Sequence, residues 1–357
     1  MPSPSPSSTG QSFLDGVSCS PSVVVTSATA CVAVGSYITA KGAERPLIEK
    51  WDGATWRVAS ALADDRSLAS ALVAVSCARA TSCVAVGTTR ATVKSFTMPL
   101  IERWDGTRWK IMPSRSPGGA GGTYLNAVSC PTPTSCYAVG NYTTGASAGL
   151  SLVEHWNGSQ WTIMPSPNPK RATSTTLAGV SCTGGTCWAV GSYTTKPVGE
   201  PFFTVALQLQ RGQWALVPTP NANGTQSSAL NAVSCASVAS CHAVGYWQRG
   251  AGAALVEHWN GARWTVVSTG QGTGAFSRLT GVSCGAVSCV AAGTDTSTLI
   301  VRGSLSRWTV EPSSQPAGAQ SSSLTGVSCV GLTTCVTVGS SIDKSTGVAS
   351  AFAEQRS

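Results

Sequence analysis

The sequence predicts an all-β chain folded as a seven-bladed β-propeller, with four antiparallel strands per blade and one disulfide inside each blade. Three observations lead there. A cysteine-bearing segment recurs seven times, and each copy is followed by a second cysteine and then an Ala-Val-Gly-like run. A tryptophan-flanked turn closes most copies. Only 11% of the 357 residues are Asp, Glu, Lys or Arg, and the dominance of Gly, Ser, Thr, Val and Ala suits short strands and turns rather than amphipathic helices.

The first strand of each unit reads L-x-[GA]-V-S-C and ends at Cys19, Cys77, Cys130, Cys182, Cys235, Cys284 and Cys329. Being small or apolar on both faces, it suits a sheet packed on each side. The second strand starts at Cys31, Cys83, Cys136, Cys187, Cys241, Cys289 or Cys335 and runs on as "VAVG", "YAVG", "WAVG", "HAVG", "VAAG" or "VTVG". The third reads L-[IV]-E-x-W, and the fourth W-x-[IV], with Pro-Ser-Pro after the best-kept copies. Between them lie turns such as "WDGATW" and "WNGSQW". Asp-Gly and Asn-Gly suit a two-residue hairpin turn in which both central residues take positive φ.

The step between first cysteines runs from 45 residues (Cys284 to Cys329) to 58 (Cys19 to Cys77), the length of a propeller blade. Blades are expected at 14–60, 72–113, 125–167, 177–220, 230–269, 279–313 and 324–357, within one domain spanning 1–357. The two cysteines of a unit fall across the neck of its first hairpin, where opposed residues come within disulfide reach. All fourteen are therefore assigned to local bridges, the first of which closes a longer loop. One pair per unit, spaced more widely than zinc motifs and without a matching histidine pair, argues against a metal site. No cofactor is expected.

The last unit stops at "ASAFAEQRS", after a third strand, while the opening "MPSPSP" matches the close of a fourth strand, as in "IMPSPNP". Two readings stay open: the missing outer strand lies upstream of Met1 in a longer secreted protein, or the last blade has three strands. No run of about 18 apolar residues occurs, and "MPSPSPSSTGQSF" lacks the charged and apolar regions of a signal peptide. Seven disulfides nonetheless fit an exported, extracellular chain.

Tandem "GVSC…C-x-AVG…W-[DN]-G-x-x-W" units resemble secreted propellers of actinobacteria, in particular the lectin-type propellers of umbrella toxin particles. The likeness covers nearly the whole chain and concerns the blade skeleton. It implies a carbohydrate- or surface-binding module that helps a larger toxin particle find its target cell, with a partner protein in that secreted assembly.

The net charge of +8 is spread thinly, without the basic cluster that nucleic acid requires. A mild positive field favours an anionic cell-wall polymer. Catalysis finds no footing, and no enzyme is expected. G-x-S-x-G appears at 281–285 and 145–149, but a nucleophile elbow needs a strand-to-helix turn. Ser18, Ser76, Ser129, Ser181, Ser234, Ser283 and Ser328 recur in every unit, which points to a backbone hydrogen-bonding role. His155 and His258 are repeat-equivalent, and His242 precedes an Ala-Val-Gly. Glu49, Glu102, Glu154, Glu257 and Glu354 recur on the third strand, and such a ring does not supply the close carboxylate pair of a glycosidase.

Strand order puts the second-to-third and fourth-to-first loops on one face. There, "NYTTGASAGLS", "SYTTKPVGEP" and "YWQRGAGAA" vary in length and composition, as binding loops do. Tyr37, Tyr142, Tyr193 and Trp247 follow the Ala-Val-Gly of four units. They either stack on sugar rings or cover the blade edge. Asp15, Asn126, Asn231, Thr280 and Thr325 open the inner strands and either hold a ligand or line a water-filled channel. The Trp51–Trp56, Trp104–Trp109, Trp156–Trp161 and Trp259–Trp264 pairs read as packing around the turn, or as rim sites if sugars bind between blades. The leading expectation is a lectin-like module for a cell-surface glycan, the alternative a protein-interaction platform.

Overall fold

The computed structural model describes residues 3–4, 6, 10–21, 29–59, 67–144, 149–196, 201–221, 227–249, 251–269, 277–304, 307–331 and 334–356. They form 27 strands and, among the described residues, no helix. The strands pair antiparallel in consecutive groups. In the first group Ser12–Pro21 pairs Thr29–Ile38, which pairs Glu44–Trp51, which pairs Trp56–Ala59. Five further groups repeat this order, and the last holds three strands, Ala319–Val330, Thr334–Asp343 and Ala349–Arg356. Single parallel pairings, Glu44 with Ala69 and Gly149 with Ser174, join neighbouring groups into larger sheets.

All seven disulfides lie inside their own group: Cys19–Cys31, Cys77–Cys83, Cys130–Cys136, Cys182–Cys187, Cys235–Cys241, Cys284–Cys289 and Cys329–Cys335. Their Cα atoms stand 3.9 to 4.1 Å apart. The longer first loop makes its bond like the others.

The hairpin between third and fourth strands is as expected, but its turn is not. Positive φ is confined to the glycine, Gly53 at 101° and Gly158 at 96°. The preceding Asp or Asn instead bends the loop with its side chain. Asp52 Oδ1 accepts the N–H groups of Ala54 and Thr55, and Asp105, Asn157 and Asn260 do the same for their own loops. The loop therefore has four residues, with an Asx cap.

Each inner strand bulges at the residue after its leucine, so that Asp15, Val73, Asn126, Ala178, Asn231, Thr280 and Thr325 lack a cross-strand partner. The bulge pushes a carbonyl toward the second strand and explains the glycine there: a Cβ on Gly35 would collide with the Phe13 oxygen, and one on Gly140 with that of Tyr124.

Neighbouring groups are joined by one repeated hydrogen bond. The inner-strand serine accepts the N–H of the next group's first cysteine: Ser18 from Cys77, Ser76 from Cys130, Ser129 from Cys182, Ser181 from Cys235, Ser234 from Cys284 and Ser283 from Cys329, at 2.9 to 3.1 Å. Ser328 accepts from Cys19 at 2.9 Å and closes the ring. Hydrophobic clusters lie between groups rather than within them. One joins Leu14, Leu47 and Trp56 to Val336, Val338 and Ala353 of the last group. The outer-strand tryptophans Trp56, Trp109, Trp161, Trp214, Trp264 and Trp308 are buried in six such clusters. Each removes on the order of 200 Å² from water.

Candidate binding site

The bulge residues point across the junctions. Asn126 Nδ2 donates to Leu177 O of the next group at 2.9 Å, Asn231 Nδ2 to Leu279 O at 2.6 Å, Thr280 Oγ1 to Leu324 O at 2.7 Å, and Thr325 Oγ1 to Leu14 O at 2.5 Å. Asn231 Oδ1 also accepts from Arg278. Asp15, at the same place, is half-buried; burial first and Glu44 second push its carboxyl up to about 6. The two asparagines and two threonines thus join neighbouring inner strands.

The loop aromatics are half-buried, each against the cluster beneath it. Tyr37 packs beside Leu14 and Leu47, Tyr142 beside Leu125 and Leu152, Tyr193 beside Leu177, and Trp247 beside Leu230 and Leu255. Tyr193 also lines a cavity. This hollow of about 260 Å³ is bounded by Pro169, Tyr193, Thr204, Leu216, Thr219 and Asn221. Tyr193 and Phe203, opposed on adjacent strands, pack at a tilt of 36° with centroids 5.4 Å apart. Asn221 Oδ1 accepts from Thr204 N and from Ser228 Oγ, which leaves its amide nitrogen as donor. An aromatic floor beside hydroxyls and one amide can take a ring with an apolar face and polar edges. Sequence reasoning found Tyr193 but not Thr204, Thr219 or Asn221. The signal was the Pro-x-Pro-Asn after two fourth strands, "PSPN" at 165–168 and "PTPN" at 218–221, whose asparagines cap Ser151 N and Thr204 N alike. The middles of the variable loops, with most of "GASAG", lie outside the described residues.

The third-strand glutamates are buried, Glu49, Glu102, Glu154 and Glu257 at 0% exposure. Ser114 Oγ donates to both oxygens of Glu154 at 3.0 Å, and Ser3 Oγ to Glu49 Oε1 at 2.5 Å. Burial pushes both carboxyls up to about 7, against the lowering by those serines. Among the described residues Glu257 has no partner on either oxygen, and burial holds it well above its usual range.

Ser283, in the "GVSCG" motif, lies on an inner strand with its hydroxyl engaged by Cys329 N; this is no nucleophile elbow. His242 stacks on His258 with centroids 4.6 Å apart, and its Nδ1 lies 3.3 Å from Cys289 Sγ. His242, Cys284 and Cys289 bring potential metal-ligand atoms together, but both sulfurs are joined in a disulfide and offer no thiolate. Burial, with His258 second, pulls the His242 imidazole down to about 4.

No family model and no curated protein matches the chain. Solved structures do. The β-propeller domain of the Trilobed protease from Pyrococcus furiosus aligns with a TM-score of 0.55 at 8% identity, over 97% of this chain and 94% of that one. YCF48 bound to D1 peptide aligns at 0.51 and 10% identity, over 92% and 91%. A six-bladed fungal lectin, aleuria aurantia lectin, reaches 0.47 at 14% identity, over 87% and 98%. At such identities the likeness is one of fold: the chain is an all-β propeller.

Proposed function

We propose that the seven repeat units are the blades of one wheel, with the boundaries given above, and that this wheel is a non-enzymatic, lectin-like module. It is exported, binds a cell-surface glycan or anionic cell-wall polymer, and serves as a targeting part of a larger secreted assembly, as the resemblance to toxin-particle propellers implies. The closed circuit of serine-to-cysteine hydrogen bonds supports the wheel, and the local disulfides suggest an oxidising compartment. The observation that carries the binding reading is the Tyr193 hollow, floored by an aromatic ring and edged by Thr204, Thr219 and Asn221. Weaker copies at Tyr37, Tyr142 and Trp247, with Asp15, Asn126 and Asn231 at the inner-strand openings, would add affinity through avidity on a multivalent surface.

A glycan array followed by competition with free sugar tests this. Saturable, competable binding is expected, and Tyr193→Ala should weaken it by about tenfold or more in a variant that still unfolds cooperatively, at a temperature lowered only by the lost packing against its cluster. Absence of sugar binding, or indifference to Tyr193→Ala, overturns the reading.

A protein-interaction platform is the second reading. It is favoured by the residue two places after the tryptophan of six outer strands, Val58, Ile111, Ile163, Leu216, Val266 and Val310, all exposed aliphatics. A platform would bind no sugar saturably.

A further inference from the structure

In the first six groups, one residue at the end of the third strand opposes the tryptophan of the outer strand. It is Trp51, Trp104, Trp156, Leu209, Trp259 and, in the sixth group, Gly303. Four copies place an indole there, one an isobutyl group, and the sixth no side chain. Where the indole is present, the preceding group covers it: Lys50 Nζ lies 2.9 Å from the centroid of the Trp104 ring, the Arg103 guanidinium 5.4 Å from that of Trp156, and the Trp188 ring 4.6 Å from that of Trp259. His242 follows its second cysteine as Trp188 does. A ring at the sixth position would therefore meet His242.

Trp308 does not make up the loss. It is fully buried against Gly303, where a Cβ would strike its Cγ and Cδ2, and it meets His242 edge-on at 5.5 Å. Beside them a hollow of about 490 Å³ remains, bounded by Ala236, Ser240, His242, Ala286, Cys289 and Ser304 among others. It opens at the disulfide end of the strands, whereas Tyr193 stands at the other end. An apolar cavity of about 150 Å³ suffices for benzene, so the size admits a two-ring molecule. The lining selects a flat one with a polar edge. His242, Ala236, Ala286 and Cys289 offer apolar and aromatic contact, and the Ser240 and Ser304 hydroxyls can accept a ring N–H.

We propose that this hollow binds a free planar aromatic molecule of indole size, whose ring takes the place that tryptophan fills in four other groups and lies against His242. The filled copies in the same molecule give the shape of the occupant, and Gly303 gives the vacancy. It is a second ligand site, separate from the Tyr193 hollow and independent of the sugar-binding reading.

The test is titration of the full chain with indole, followed by calorimetry and by nuclear Overhauser contacts. One-to-one saturable binding with a Kd of about 1 mM or tighter is expected, with contacts from the ring to the Ala236 and Ala286 methyls and a raised unfolding temperature at saturation. Adamantan-1-ol, bulky but not flat, should bind about tenfold more weakly or worse. Ala286→Phe, on an exposed turn, should fill the hollow and weaken indole by about tenfold or more. Ala236→Phe fills it from the opposite hairpin and should do the same, so that a misfolded variant leaves the other to decide. N-acetyltryptophanamide carries the same ring as a peptide side chain would. Should it bind more tightly than indole, the occupant is a partner's tryptophan and the proposal falls. Absence of saturable indole binding, ring contacts elsewhere on the chain, or undiminished binding in the folded Phe variants would each overturn it as well. Sugar binding, and its loss in Tyr193→Ala, is untouched by any of these outcomes.

Discussion

Ser181 sits on an inner strand and accepts the N–H of Cys235 in the next group, a bond that links two separate hairpins at their necks. Replacing it with alanine leaves that donor without a partner, and a loss of about 1 to 3 kcal/mol follows; urea unfolding of Ser181→Ala measures it, and unchanged stability would refute the junction role. Glu257 presents the opposite case, a buried carboxyl with no partner among the described residues. Its folded pKa lies above its unfolded value, so the folded state binds the extra proton. Stability from this group is therefore full below the ordinary glutamate range and is lost as pH rises through the folded pKa. Glu49 and Glu154, raised to about 7, act in the same direction. Glu257→Gln should flatten part of the decline in stability between pH 5 and pH 8, with its largest gain over the parent chain at the alkaline end; chemical denaturation at both pH values checks this.

At the scale of the strand and hairpin, the sulfur bridge and the capped turn do separate jobs. A bridge such as Cys182–Cys187 closes a loop of a few residues, and in the chain-entropy model that contributes about 2 kcal/mol. A Cys182→Ser, Cys187→Ser double variant should lose about that amount and keep its ring, as read by denaturation and by mass mapping of the remaining bridges. Much of this was legible beforehand, because a bridge, a paired tryptophan and a no-Cβ glycine each need one residue type at one register position in every copy. The turn type was misread because Asp-Gly carries two meanings: positive φ at both residues, or a side-chain cap before a single left-handed glycine. Four of the outer strands run into a proline, Pro113, Pro165, Pro218 and Pro312, which shortens the exposed edges and limits unwanted pairing.

Over the whole molecule, repetition tells where the skeleton lies and conceals where it is used. The circular order, the junction serines and the local bridges follow from what every copy shares. The Tyr193 hollow is edged by a set that two copies share, Ser151, Ser166 and Asn168 in one and Thr204, Thr219 and Asn221 in the other, and it adds Pro169 from across a junction. That spacing was legible in the sequence, whereas the meeting with Pro169 and Tyr193 is assembled only by the fold. The asparagines and threonines of the bulges were legible as a recurrent polar position, but not as donors, since their acceptors are carbonyls 44 to 51 residues away, or 311 for Thr325.

The bond between Ser328 and Cys19 differs from its six equivalents only in contour length: 309 residues separate its ends, against 46 to 59 elsewhere. Chain-closure entropy grows with the logarithm of that length. During synthesis from the N-terminus the short-range joints can assemble as their strands emerge, while this last one must wait for the finished polypeptide. Until then the two end faces stay exposed to solvent, and a second molecule could insert between them. Dilution and slow translation should therefore favour the monomeric product.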